Sequence, residues 1–374
     1  MSLFPDAPQP KSVLGFHRIL SSTAGVRVSP LCLGAMNFGD AWQAYMGKCD
    51  KKQTFAILDY FYEQGGNFID TSNNYQSQES EMWIGDWMEE RGVRDQFVIA
   101  TKFTTGYIPD PKVMKSNYQG NHAKSLHMSL KASLEKLKTD YVDVLYLHWW
   151  DFSTSIEEVM QALNVLVNQG KVLYLGVSDT PAWVVSKANQ YARDHGLRQF
   201  VVYQGKWSAG DRDFERDILP MAQAEGMALA PWSALGGGRF KTEAQRKANE
   251  GRQLGEAKEK DIKISAALEK VANRKDTVIT SVALAYVMHK SPNVFPIVGG
   301  RNIEHLKGNI EALKLKLSDE DIKEIESAWE FDPGFPLTML FHGERSYQTK
   351  DIFLVKSNAH LDIVPNRGII PPRS

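Results

Sequence analysis

Val142-Asp143-Val144-Leu145-Tyr146-Leu147-His148 is apolar almost throughout, with one acid inside the run and a histidine at its end. A strand with one solvated face alternates apolar and polar residues, whereas a strand covered on both faces reads as a continuous apolar run. The stretch therefore predicts a parallel strand with helices packed over it. Similar runs stand on either side. Leu31 to Met36, Asn67 to Ser72 and Phe97 to Lys102 precede it, and Val172 to Ser178, Phe200 to Gln204, Met227 to Ser233 and Val294 to Gly299 follow.

The segments between the runs carry helix signals. Asp50 with Gln53, and Ser155 with Glu158, have capping-box spacing. Thr180-Pro181 reads as an N-cap with proline at the first helical position. Gly65, Gly92 and Gly170 stand where helices should stop. Eight strands alternating with helices predict an α/β fold, a (β/α)8 TIM barrel built as a single domain. No GxGxxG follows the first strand, which argues against a doubly wound nucleotide-binding sheet. Residues 1–23 read as an N-terminal extension, 24–330 as the barrel and 331–374 as a C-terminal tail. The tail holds Pro333, Pro336, Pro365, Pro371 and Pro372, so no continuous helix is expected there. Its Phe335, Leu337, Met339, Leu340 and Phe341 predict that part of it folds over the active rim. Two further excursions, residues 106–121 after the third run and 236–261 after the seventh, fall on the carboxyl side of strands, the side that carries function in such barrels.

The chain has 44 basic and 45 acidic residues among 374, a formal charge of -1, which makes a nucleic-acid partner unexpected. Neither a secretory leader nor an 18-residue apolar span is found, so no membrane association is expected. Cys32 and Cys49 have no CxxC or Cys/His metal spacing, and no metal site is expected. They read as free thiols of a cytoplasmic protein. Oligomeric state leaves no mark on the sequence.

Three successive runs deliver ionisable groups to one rim: Asp70 lies near the end of the second, and Lys102 and His148 end the third and fourth. Tyr75 lies five residues beyond Asp70. This set suits carbonyl reduction. Hydride addition builds negative charge on oxygen, which a proton must quench, and tyrosine's ordinary pKa near 10 makes it a sluggish donor at neutral pH. An ammonium at Lys102 favours the phenolate, Asp70 holds that lysine charged, and His148 can hydrogen-bond the substrate oxygen.

With these contexts the chain resembles the aldo-keto reductase family over roughly residues 24–315. The family's Asp, Tyr, Lys and His tetrad falls on Asp70, Tyr75, Lys102 and His148. Asp-Thr-Ser-Asn-Asn-Tyr-Gln, Leu-His-Trp-Trp-Asp and Tyr203-Gln204-Gly205-Lys206-Trp207-Ser208 resemble the fungal aryl-alcohol dehydrogenase and norsolorinic acid reductase branch. The resemblance implies an NADPH/NADP+ site. Ser178, Asp179 and Gln204 match the carboxamide positions, although Asp179 stands where the family more often has Asn and cannot donate when ionised. Trp232 takes the place that stacks on nicotinamide, and Ala35 and Met36 border it after the first strand. Ser233, Ala234, Leu235, Gly236, Gly237, Gly238 and Arg239 resemble the pyrophosphate loop, the glycines permitting close backbone approach. Gly299, Arg301, His305 and Asn309 match the 2′-phosphate site at a helix N-terminus, where Arg301 can fork onto phosphate. Gly308 replaces an acidic residue common there.

Trp42, Tyr45, Trp149, Trp150, Trp207 and Phe240 gather near the same rim, and Tyr45, His148, Trp149, Trp150 and Trp207 are the expected substrate contacts. Aromatic walls suit a flat aromatic carbonyl substrate. The expected activity is reversible NADPH-dependent reduction of aryl aldehydes or ketones. The alternatives are reduction of a polyketide-type aromatic ketone, and an NADPH-binding regulatory subunit resembling those of potassium channels.

Overall fold

A computed structural model describes residues 4–247, 257–342, 349–363 and 368–373. Eight parallel strands form the central sheet: β3 (Cys32–Gly34), β4 (Phe68–Asp70), β5 (Val98–Phe103), β6 (Val142–Leu147), β7 (Val172–Ser178), β8 (Phe200–Lys206), β9 (Ala228–Trp232) and β10 (Ile297–Val298). From β3 to β9 each strand pairs with its sequence neighbour, and β10 pairs with β3. The ring closes just ahead of β10. There Val294 bridges Leu229 in parallel, with the Leu229 amide donating to the Asn293 carbonyl and the Phe295 amide to the Leu229 carbonyl. The predicted barrel is thus the observed fold.

Strand parity explains why the runs are apolar on both faces. In β6, Val144 and Tyr146 point into the barrel with Phe68, Val98, Ala100, Val202 and Ala230. Leu145 and Leu147 point out, into the layer shared with the surrounding helices. Asp143, the one charge in the run, is buried on that outer side. It is satisfied by the Ile99 amide at 2.9 Å and by Arg94 at 2.9 Å. Its pKa is nonetheless raised, because burial outweighs the Arg94 charge.

An antiparallel hairpin, β1 (Arg18–Ser21) with β2 (Ala24–Val28), precedes the barrel. It caps the amino end of the strands: Ser22 Oγ donates to the Gly226 carbonyl ahead of β9, and Asn67 Nδ2 donates to the Arg27 carbonyl ahead of β4. The expected boundary between residues 23 and 24 therefore divides one hairpin. Cross-strand pairing binds both halves to the barrel floor.

The N-caps are half as expected. Asp50 and Ser155 each accept from the backbone amide three residues on. Their Gln53 and Glu158 side chains turn elsewhere, Gln53 to the Arg301 carbonyl and Glu158 to the Ala123 amide, so neither box closes. Pro181, not Thr180, is the N-cap of the helix Ala182–Asp194, because the Thr180 hydroxyl donates back to the Ser178 carbonyl.

The described parts of the tail make contact at two separate places. Phe331 lies under the Arg212 and Arg216 guanidinium groups, and Arg216 donates to the Asp332 and Pro333 carbonyls. Its far end lies by Arg18, Met288, His289 and Leu313, with Arg373 4.0 Å from the Phe16 ring centre. That far end lies by the hairpin, whereas Arg212 and Arg216, which hold the tail's start, follow the carboxyl end of β8. Phe335, expected to pack on the rim, is 82% exposed. Pro365 lies outside the described residues, as do positions 248–256 of the second excursion.

Candidate active site

Phe68, Val98, Ala100 and Val202 point inward, so Asp70, Lys102 and Gln204, at even spacing from them, must also point inward at the carboxyl end. Lys102 is fully buried. Its Nζ donates to Asp70 Oδ1 at 2.5 Å, to the Thr71 carbonyl at 2.7 Å and to the Tyr75 hydroxyl at 3.3 Å. Three donors meet three acceptors, the full capacity of an ammonium. Burial works to lower the Lys102 pKa, but Asp70 and then Tyr75 outweigh it and leave it raised. Asp70 Oδ2 accepts from Gln204 Nε2 at 2.8 Å, so the carboxylate is held on both oxygens. The Tyr75 phenol departs from expectation: burial raises its pKa, and the opposing pull of Lys102 does not overcome this. It therefore carries its proton at neutral pH, the state a donor needs.

Tyr75 opens a turn, Tyr75–Gln78, in which Gln76, Ser77 and Gln78 have φ of 51°, 50° and 86°. Non-glycine residues rarely hold such angles without outside support. The buried Gln76 side chain supplies it, donating to the Met36 carbonyl at 3.0 Å and accepting from the Trp42 amide at 2.6 Å. Beneath the turn, Asn73 Nδ2 donates to the Thr105 carbonyl and Ser129 Oγ. Lys136 reaches the Asn73 carbonyl while pairing at 2.6 Å with the buried Glu81, which also accepts from Thr101. Gln76, Glu81 and Lys136 escape sequence reading because nothing in their spacing marks a buried partner.

His148 faces Tyr75 edge-on, the rings 6.0 Å apart. Burial, and then the Lys102 charge, lower its pKa to about 3, so the imidazole is neutral. Trp42 stands 6.3 Å from Tyr75 on another side. The expected aromatic wall is only partly assembled. Trp149 borders the site, donating its indole N–H to Thr105 Oγ1 at 3.0 Å. Tyr45 is 77% exposed, and Trp150 packs against the outer core. Trp207 is fully buried, stacked 5.0 Å from Phe214 and donating to Glu215, so it backs the rim without lining it. Phe240 is buried beneath Gly236.

The expected cofactor residues lie around the same mouth. Ser178 Oγ is buried and has no hydrogen-bond partner, an orphan polar atom that fits a ligand amide. Asp179, at φ 40°, accepts from Trp232 Nε1 at 3.2 Å. Desolvation raises its pKa to about 6 against the opposing Trp232 bond, although much of the residue is accessible. Gly236, Gly237 and Gly238 have φ of 70°, 61° and 97°, which permit the loop's left-handed turn. Across the mouth, Asn302 caps the helix Ile303–Glu311. Arg301 just precedes it and His305 stands in its first turn, where burial and then the Arg301 charge lower the His305 pKa. A Cβ on Gly47 would meet the Arg301 guanidinium at 1.8 Å, so the loop carrying Trp42 and Tyr45 rests on that arginine.

A family model described as the Aldo/keto reductase family matches residues 30–330, which include the whole parallel sheet. The chain belongs to the aldo/keto reductase family. Relatives of this aldo/keto reductase include norsolorinic acid reductase of Aspergillus flavus, 56% identical over 99% of this chain and 97% of its own. A putative aryl-alcohol dehydrogenase of Saccharomyces cerevisiae is 56% identical over 90% and 93% of the two chains. An aryl-alcohol dehydrogenase of Pestalotiopsis microspora is 51% identical over 100% and 97%. The protein is an oxidoreductase of this family, the class expected from its tetrad. Among the described residues, no helix is long and apolar enough to cross a membrane.

Proposed function

We propose that this protein reversibly reduces aryl aldehydes or ketones to alcohols with NADPH, Tyr75 giving the proton to the carbonyl oxygen. The observation that carries the reading is the Lys102 ammonium bonded at once to Asp70 and to the Tyr75 hydroxyl, with neutral His148 across from it. NADPH, when bound, supplies the hydride. Tyr75 supplies the proton, Lys102 stabilises the phenolate left behind, and Asp70 keeps Lys102 charged and aimed. His148 binds the oxygen as an uncharged donor. Trp42 and Trp149 flank the site and offer a ring substrate flat contact.

Ser178, Asp179 and Gln204 would hold the carboxamide, with Trp232 against the ring and Ala35 and Met36 beside it. Ser233 to Arg239 would wrap the pyrophosphate. Gly299, Arg301, His305 and Asn309 would take the 2′-phosphate. The orphaned Ser178 hydroxyl and the glycine turn at 236–238 fit the carboxamide and pyrophosphate of the cofactor. The relatives named norsolorinic acid reductase favour a second substrate class, a polyketide-type aromatic ketone. The buried free thiols of Cys32 and Cys49 suit a reducing cytoplasm. The test is NADPH absorbance loss with a panel of aryl aldehydes and fused-ring aromatic ketones. Repeated turnover is expected, and a single turnover or none on every member would overturn the reading.

Two expected results concern the cofactor. Arg301→Ala raises the NADPH Kd about 10–100-fold and leaves the NADH Kd within a few-fold, because a charge-assisted phosphate contact contributes about 1.5–3 kcal/mol. Fluorescence titration of both cofactors checks it, and equal losses would detach Arg301 from the phosphate. The other result is a pH dependence. Asp179 protonates as pH falls through about 6 and can then donate to the carboxamide as an asparagine would. NADPH affinity thus gains a component below pH 6 that Asp179→Asn abolishes. Identical pH profiles for the two proteins would remove Asp179 from the contact.

A further inference from the structure

Because the His148 imidazole is neutral, the place of its single proton decides what it offers on each side. Nδ1 faces two hydroxyls, Thr105 Oγ1 at 3.1 Å and Ser72 Oγ at 3.3 Å. These hydroxyls are not equivalent. An indole N–H only donates, so Trp149 Nε1, at 3.0 Å, occupies a lone pair of Thr105 Oγ1. The described residues offer the Thr105 proton no acceptor other than His148 Nδ1, so the hydroxyl donates there. Ser72 donates its own proton to a closer acceptor, Asn74 Oδ1 at 2.9 Å, and turns only a lone pair towards Nδ1 from the longer distance. The nearer partner therefore makes Nδ1 an acceptor.

We propose that Trp149 and Thr105 form a relay that fixes His148 as the Nε2–H tautomer, which makes Thr105 a positioning residue for the donor to the carbonyl oxygen. The kinetic consequence rests on the proposed seating of that oxygen between Tyr75 and His148, whereas the tautomer itself does not. In the other tautomer Nδ1–H would donate to Ser72, and Nε2 would turn a lone pair against the substrate oxygen. Trp149 thereby acts beyond substrate contact. Its indole orients a hydroxyl, which orients the histidine.

Nitrogen-15 NMR of labelled protein reads the tautomer without turnover, with the His148 signals assigned by their loss in His148→Ala. Wild type and Thr105→Ser should show Nε2–H, and Thr105→Val, of nearly the same shape but without the hydroxyl, should shift to Nδ1–H. With an aryl aldehyde such as 4-nitrobenzaldehyde, Thr105→Val should lose about 100-fold in kcat, the scale of one lost oxyanion donor, with NADPH affinity unchanged. Thr105→Ser should stay within about 3-fold of wild type, since it keeps the same donor. Nδ1–H in the wild type, or Nε2–H retained in Thr105→Val, would overturn the relay. A flipped tautomer with kcat intact would uphold the relay and overturn the seating of the oxygen.

Discussion

Tyr75→Phe lowers kcat for aryl aldehyde reduction by about 10²–10⁴-fold, the range over which a positioned general acid acts, and leaves NADPH affinity within a few-fold. The substitution removes one oxygen and keeps the ring, so the edge contacts with Trp42 and His148 remain. Lys102 also keeps Asp70 and the Thr71 carbonyl as partners, and no buried charge is orphaned. The loss should therefore fall on kcat without lowering the melting temperature. Stopped-flow hydride transfer together with a cofactor titration separates the two effects. A kcat near that of wild type would take the proton from another donor and remove Tyr75 from the assigned role.

Lys102→Met has the second large effect and differs in kind. Activity falls by about as much as in Tyr75→Phe, because the phenolate loses its counter-charge, and stability falls as well. Lys102 is fully buried and Asp70 nearly so, and removing one partner of a buried ion pair costs about 3–5 kcal/mol. Gln204 still donates to Asp70 Oδ2, which moderates the penalty without cancelling the charge. The diagnostic variant is Lys102→Met with Asp70→Asn. It should regain much of the lost melting temperature and none of the lost rate, since the asparagine is uncharged and the ammonium is still missing. Recovery of activity in the double variant would mean that the pair serves folding alone.

The barrel and its tetrad were legible in the sequence for one reason, strand parity. A strand buried on both faces must read apolar throughout, so an ionisable residue at its end marks where the strand leaves the core. Asp70, Lys102 and His148 are such residues, and the structure brings them together around Tyr75. The cap residues Asp50 and Ser155 were legible because capping is local.

What depends on a distant partner was not legible. An aromatic near a strand end reads the same whether it lines a cavity or is sealed behind it. Trp207 proves buried and Tyr45 exposed because Phe214 and solvent, respectively, lie against them. The net direction of the Tyr75 pKa is set by burial competing with Lys102, and only the folded site fixes that balance. Where the two ends of the tail rest was not legible either, because it depends on the guanidinium groups of Arg212 and Arg216 at its start and on the Phe16 ring that Arg373 meets at its end. Sequence alone determined the fold class through its periodicity, and its local motifs pointed to the family and to the four side chains that the structure gathers. The tertiary structure decided the direction of each pKa shift and which aromatic rings stand beside Tyr75, because burial and hydrogen-bond partners come from residues far apart in the chain.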